Sequence, residues 1–286
     1  MRPHQSYLLC ATPRSGSTFL CEALTNTGLA GNPKEYFEAL KDTGLPRRPQ
    51  EYFTDLDNAE ISEILGNYSR LDESVQALFW NSSSYPVYLA QVLEEGTTSN
   101  GVFGAKVMWG YFDDFIQNLR LIPSYRERTV PDLMATVFPN LQYIQVTRLD
   151  KVRQAVSLWK AIQTWAWKME DDSLLSTSKA QPPTHILTFH FEAIDHLVQR
   201  IIDHEEAWQQ YFEHSNIQPF TVVYEQLTDA YQETLFKILH YLQIPIPENL
   251  VLPQSRMRKQ SDALSEEWVL QYHRIKQERE QEQAQP

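Results

Sequence analysis

Four short apolar runs punctuate the chain: Ser6–Thr12 (S-Y-L-L-C-A-T), Gly101–Trp109, Leu141–Val146 (L-Q-Y-I-Q-V) and Phe220–Tyr224. Runs of this length between turn signals read as strands, the first as a parallel strand buried on both faces. The stretches between them carry the other period. Phe19–Asn26 reads as a helix with Gly28 as its C-terminal stop. Val152, Ala155, Val156, Trp159 and Ile162 recur at three- and four-residue spacing, the stripe of an amphipathic helix. Ile186–His214 reads as one or two further helices. Strands alternating with helices predict an α/β class, a P-loop-like three-layer fold with a central parallel sheet flanked by helices.

The connections read differently. Asp42–Asn58 is polar and proline-bearing, which predicts a loop or a loose lid over substrate. From Lys276 the chain becomes a low-complexity run, K-Q-E-R-E-Q-E-Q-A-Q-P, expected to fray into solvent. With neither an internal repeat nor a linker, the expectation is one domain over 1–275 followed by a polar tail, 276–286.

Charge narrows the partners. Twenty-five basic residues against 37 acidic give a net charge of −12, which excludes a general nucleic-acid binder. An anionic ligand must then be met by a local cationic pocket, so short basic segments become informative. Cys10 and Cys21 are the only cysteines and form neither a disulfide framework nor a metal-ligand spacing. No strong magnesium-binding constellation stands out either, so no metal is expected. No apolar run approaches the roughly 20 residues of a membrane span, and Arg14 interrupts the N-terminus too early for a signal-peptide core. The expectation is a cytoplasmic protein with no membrane span.

The strongest local signal is the loop Pro13-Arg14-Ser15-Gly16-Ser17-Thr18 between the first strand and helix. Unpaired N–H groups at a helix N-terminus and the helix dipole favour an anion there. Gly16 allows close approach, Ser15, Ser17 and Thr18 add hydroxyls, and Arg14 can grip a phosphate through paired hydrogen bonds. A capped strand-to-helix turn has the same composition, so the loop alone leaves both readings open. A P-loop NTPase requires G-x-x-x-x-G-K-[ST], whose glycine spacing and lysine are absent here. A cysteine-based phosphatase requires its cysteine six positions before the arginine, whereas Cys10 stands four before Arg14. A second basic point, Arg148, ends the third strand, and Ser157 lies nine residues on. If Asp150 caps the following helix, Ser157 faces the same side about 10 Å up the axis, where the two could close on one phosphate. A salt-bridged arginine and an incidental serine are the plainer alternative.

Together these segments resemble the sulfotransferase superfamily, whose 5′-phosphosulfate loop reads P-[KR]-S-G-[ST]-T and whose 3′-phosphate pair is an arginine followed by a serine. The resemblance is to the bacterial trehalose sulfotransferase family, with its Nod-factor-type carbohydrate sulfotransferases. Tyr7 through Leu20 follow that family's Y-L-x-x-x-x-x-R-S-G-S-T-x-L. Gly31-Asn32-Pro33-Lys34-Glu35-Tyr36-Phe37 resembles its G-x-P-x-E-[FY]-F, and Gly104 through Trp109 its G-x-K-x-M-W. Gln154-Ala155-Val156-Ser157-x-Trp159 resembles Q-A-V-S-x-W, and Gln260-x-Asp262 with Ser265-x-Glu267-Trp268 echoes Q-x-D…S-x-E-W.

The resemblance implies a PAPS-dependent transferase placing a sulfuryl group on a carbohydrate or glycolipid hydroxyl. It implies Glu35 as general base, Arg14 through Thr18 on the 5′-phosphosulfate, and Arg148 with Ser157 on the 3′-phosphate. Arg14 and then Lys106 are the expected cations for the leaving group. A strand-end lysine that buries only its stem is the alternative for Lys106. Arg258-Lys259 resembles the R-K-G that other sulfotransferases use on the 3′-phosphate, but Gln260 stands where the glycine would be. A solvated basic loop before the helix begun by Ser265, Glu266 and Glu267 is its alternative. Trp80, Trp109, Trp165 and Trp167 are candidates for stacking on sugar or for core packing, Trp159 is expected in the core, and Val222–Leu227 reads as structural. Relatives include dimers, so a homodimer is an expectation of the resemblance. A small-molecule kinase and a non-catalytic nucleotide-binding module are the competing readings.

Overall fold

A computed structural model describes residues 2–67, 77–164, 187–250, 252 and 262–284. It divides into two compact units, each drawn from three stretches of chain: 1–47, 73–149 and 203–254, and 48–72, 150–202 and 255–286. The strands are β1 (Gln5–Ala11), β2 (Val102–Met108), β3 (Leu141–Thr147) and β4 (Phe220–Val223). The helices among the described residues are α1 (Ser17–Asn26), α2 (Ala59–Asn67), α3 (Ser84–Glu95), α4 (Phe112–Leu119), α5 (Val130–Val137), α6 (Lys151–Thr164), α7 (Phe191–His214), α8 (Tyr224–Asp229), α9 (Tyr231–Tyr241) and α10 (Ala263–Gln283).

The first unit holds one parallel sheet in the order β2-β1-β3-β4. This is the expected α/β class, a central parallel sheet flanked by helices. All four apolar runs became strands, except that Tyr224 opens a helix instead of ending β4. β1 lies between two partners and is buried from Ser6 to Ala11, with an apolar run from Tyr7 because both of its faces are covered. Leu8 and Cys10 join Phe103, Ala105 and Val107 of β2 in a core with Tyr85, Phe115, Leu133, Trp208 and Phe212 from the helices. Leu9, between them, is turned to the opposite face by strand alternation and is fully buried there. Helices α1 and α9 pack through Phe19 stacked on Tyr231, ring centres 5.4 Å apart. Cys10 and Cys21 are both buried and unbridged.

The second unit is helical. Ile61 and Leu65 of α2, Val156, Trp159 and Ile162 of α6, Ile194 and Leu197 of α7, and Trp268 and Tyr272 of α10 form its core. The stripe predicted from Val152 to Ile162 is the face of α6 turned to that core, and Asp150 caps α6 by accepting from the Arg153 N–H at 2.8 Å. Of the one or two helices read in Ile186–His214, the chain forms one, α7. Two readings are corrected. Within Asp42–Asn58, Tyr52 and Phe53 are buried in the second core, and His196 pairs with the Tyr52 carbonyl at 2.8 Å, so burial anchors what reads as a loose lid. The tail expected to fray from Lys276 continues α10 to Gln283. Lys276 pairs with Asp195 at 2.9 Å, and Arg279 with Glu192 at 2.5 Å while its guanidinium covers the Phe191 ring. Among the described residues no helix is long and apolar enough to cross a membrane.

Candidate active site

The turn from β1 into α1 is the most constrained backbone in the first unit. Arg14 (φ 62°) and Gly16 (φ 87°) both occupy the left-handed region, which for a side-chain-bearing residue costs about 1–3 kcal/mol and persists only where the surroundings impose it. At Gly16 the reason is steric, since a Cβ would fall 2.3 Å from Cδ2 of Tyr224. The Ser15 N–H closes the turn on the Thr12 carbonyl at 3.3 Å. Gly16 is also the N-cap of α1 and supplies no side-chain cap, so the helix presents its first N–H groups and its positive dipole end. Ser15 is fully buried, and its Oγ has no hydrogen-bond partner among the described residues. An uncapped helix end, a buried unsatisfied hydroxyl and a glycine against an aromatic ring fit an anion such as a phosphate.

Arg148, just past β3, meets this loop from the neighbouring strand. Its Nη1 donates to the Arg14 carbonyl at 3.5 Å, its guanidinium lies 4.9 Å over the Tyr224 ring, and its Nε is 3.9 Å from Glu225. Glu225 also accepts from the Leu149 N–H at 3.1 Å. The register that sets Ala11 beside Val146 brings Thr12 next to Thr147 at the C-terminal edge of the sheet. Glu205 accepts from both hydroxyls, at 3.5 Å from Thr12 and 3.0 Å from Thr147. One carboxylate thus ties together the strand ends that carry the two arginines.

The third part is built on the outer strand, β2. Its free edge accepts a neighbouring segment: the Lys106 N–H donates to the Lys34 carbonyl at 2.9 Å. Close approach is possible because Gly31 has no side chain: a Cβ there would sit 2.5 Å from the Gly104 nitrogen. On either side of Glu35 the chain is held by Lys34 on β2 and by Phe37, whose ring stacks on Phe115 at 4.2 Å. Lys106 Nζ reaches the Glu35 carboxylate at 2.8 Å and Thr18 Oγ1 at 3.1 Å. The Tyr111 hydroxyl donates to the other Glu35 oxygen at 3.1 Å. Burial opposes the charge on Lys106, but the Glu35 carboxylate outweighs it and holds the ammonium above its ordinary value. Burial and that same carboxylate push the Tyr111 phenol well above its usual range, so it stays a donor.

Of the residues expected from sequence, Arg14, Ser15, Gly16, Ser17, Thr18, Glu35, Lys106 and Arg148 all lie in the first unit, linked by the contacts above. The Lys106 side chain is only 7% exposed and ends on a carboxylate, so it is not a lysine that keeps its charge in water. Ser157 is half-buried on α6, in the second unit, whereas Arg148 belongs to the first. Arg258 and Lys259, like Trp165 and Trp167, lie outside the described residues. Trp159 is fully buried, as expected, and Trp109 and Trp80 pack on Trp208 and Tyr88. Sequence reasoning missed Tyr111, Glu205 and Tyr224. The last stands in a segment read as purely structural, yet it covers the loop glycine and one arginine. Its only advance signal is its place at the end of a parallel strand, where sites of open sheets gather.

Among the described residues no group of three or more His, Cys, Asp or Glu is arranged to hold a metal ion. Comparison with known proteins agrees with the motifs. The family model described as Stf0 sulphotransferase matches residues 6–275. A protein named trehalose 2-sulfotransferase from Mycolicibacterium smegmatis is 31% identical over 274 residues, covering 94% of each chain. One of the same name from Mycobacterium tuberculosis is 29% identical over 272 residues, covering 95% of each. A solved sulfotransferase from Alicyclobacillus acidocaldarius aligns over 96% of both chains at 11% identity, with a TM-score of 0.48, a likeness too loose to add weight. The assignment rests on the family match and the two relatives: the chain belongs to the Stf0 sulphotransferase family.

Proposed function

We propose that this sulfotransferase uses PAPS as donor and delivers the sulfuryl group to a hydroxyl of a carbohydrate or glycolipid, with trehalose or a related sugar as the acceptor to try first. The observation that carries the reading is the shared cation: Lys106 bridges the Glu35 carboxylate, at 2.8 Å, and Thr18 of the phosphate loop, at 3.1 Å. A base for the acceptor and a cradle for the donor's leaving group therefore stand one side chain apart. The names of the two relatives support the acceptor class.

PAPS supplies an activated sulfuryl group whose bridging oxygen leaves as phosphate. In this reading the α1 N–H groups, the loop hydroxyls and Arg14 hold the 5′ end, and Arg148 is the first-unit group for the 3′-phosphate. Glu35 takes the proton from the acceptor hydroxyl as its oxygen attacks sulfur. Lys106 and Arg14 stabilise the charge growing on the departing phosphate, which suits a transfer governed by positioning and electrostatics.

The test is a thermal shift of the full chain with adenosine 3′,5′-bisphosphate, run beside ATP with magnesium. A ligand confined to the native state at 100 times its Kd stabilises by about 2.7 kcal/mol. The bisphosphate should raise Tm without metal, and Arg148→Ala should abolish the rise. A rise with ATP and magnesium alone would replace this reading with a small-molecule kinase. Bisphosphate binding without turnover of PAPS on any sugar would favour a non-catalytic nucleotide module.

A further inference from the structure

The Glu35 carboxylate is held at both oxygens, and both holders come from one short piece of chain. Lys106 ends on Oε2 at 2.8 Å and Tyr111 on Oε1 at 3.1 Å. Between them β2 gives way to a 3-10 turn, Trp109–Tyr111, that folds the phenol back to within 3.5 Å of the Lys106 carbonyl. The turn is braced by the Arg47 guanidinium on the Gly110 carbonyl and by Trp109 stacked on Phe112 at 5.5 Å. The Tyr111 ring is 4% exposed, so the hydroxyl has little choice of partner. Lys106 alone would leave the carboxylate free to swing about one ion pair and close onto the cation that also serves the phosphate loop.

We infer that Tyr111 is a positioning residue: its hydroxyl fixes the rotation of the Glu35 carboxylate so that the oxygen facing the acceptor stays available to take a proton. The inference rests on the reading of Glu35 as general base. Tyr111 needs no contact with donor or acceptor, so its loss should appear in turnover and not in donor affinity.

The experiment compares Tyr111→Phe, Glu35→Gln and the double variant in the full chain, with PAPS and trehalose as substrates. Tyr111→Phe should lower kcat about 10-fold with an unchanged KM for PAPS, less than the about 10²–10⁴-fold that a positioned acid–base group itself contributes. Added to Glu35→Gln it should cost nothing further, since a residue acting through Glu35 has no effect once that carboxylate is gone. Parental turnover in Tyr111→Phe would overturn the inference. So would a second, equal loss on top of Glu35→Gln, the mark of a purely structural role. If Glu35→Gln itself turns over like the parent, the general-base reading fails, and that result is seen before Tyr111 is touched. Should Tyr111→Phe lose its native melting transition, 3-fluorotyrosine at position 111 keeps the ring and strengthens the donor. The kcat must then depart from the parent's with KM for PAPS unchanged, and a parental kcat overturns the inference.

Discussion

Two kinds of ion pair show how differently the two units use charge. In the sheet unit Lys106 and Glu35 form a pair whose cation is 7% exposed. The segments that carry it contain Gly31 and Gly104, where a Cβ would fall 2.5 Å from the Gly104 nitrogen and from the Tyr7 hydroxyl respectively. In the helical unit the Arg153 fork grips Glu266 at 2.6 and 2.9 Å and Asp150 at 3.0 Å, with the guanidinium a third exposed. Lys160 reaches Asp262 at 2.7 Å, with the carboxylate 60% exposed. Water screens the second kind, so each such pair contributes about 0–1 kcal/mol and can be lost cheaply. The buried pair cannot: removing one partner leaves a desolvated charge behind. Strain and buried charge are concentrated where the chemistry is expected, and the helical unit is built from ordinary apolar packing with solvated charges outside.

The contrast can be broken, and the largest break should come at Glu35. Glu35→Gln removes the base and neutralises the partner of Lys106, and turnover should fall about 10²–10⁴-fold while adenosine 3′,5′-bisphosphate still binds. Equal turnover would remove chemistry from this end of the comparison. Next is Gly16→Ala. The added methyl must displace the Tyr224 ring and accept a φ of 87°, which should destabilise the fold by about 1–3 kcal/mol and erase the Tm rise with bisphosphate. A variant with the parental Tm and full response would show that Tyr224 does not clamp the loop.

The smallest effect belongs to the helical unit. Partial burial raises the Asp262 carboxyl, but the Lys160 ammonium and the Ser265 N–H and hydroxyl outweigh it and hold the carboxyl down at about 2. A depressed acid lends stability above its unfolded value, near 3.9, and that stability fades as the pH falls toward the folded value. The Tm advantage of the parent over Asp262→Asn should therefore be full above about pH 4 and shrink between pH 4 and 2. Because Asp262 is largely exposed, the difference should be small throughout. A difference that is constant across this window would mean that the helix cap, not the charge, carries it.

Much of the first unit was legible along the chain. Four short apolar runs became four parallel strands because a strand covered on both faces must be apolar at successive positions, and that leaves a local mark. The Arg14–Thr18 loop was legible because a glycine among hydroxyls at a strand-to-helix junction is itself a local device. The anchoring of Tyr52 and Phe53 was not legible, since two aromatic residues in a polar stretch say nothing of what will cover them. Nor was the helical continuation past Lys276, where Asp195 and Glu192, some eighty residues earlier, supply the partners.

The sequence by itself determined the class of fold, the glycine turn between β1 and α1 and the family of the enzyme, because each is written in residues adjacent or regularly spaced along the chain. Tertiary structure decided which side chains act together. Glu35 finds Lys106 and Tyr111 only because Gly31 lets its segment lie against the edge of β2. Thr12 and Thr147 share Glu205 only because β1 and β3 pair in one register. Tyr224 covers Gly16 only because β4 ends beside β3. Hydrogen-bond register and close backbone approach act between segments far apart in sequence, and no local pattern records them.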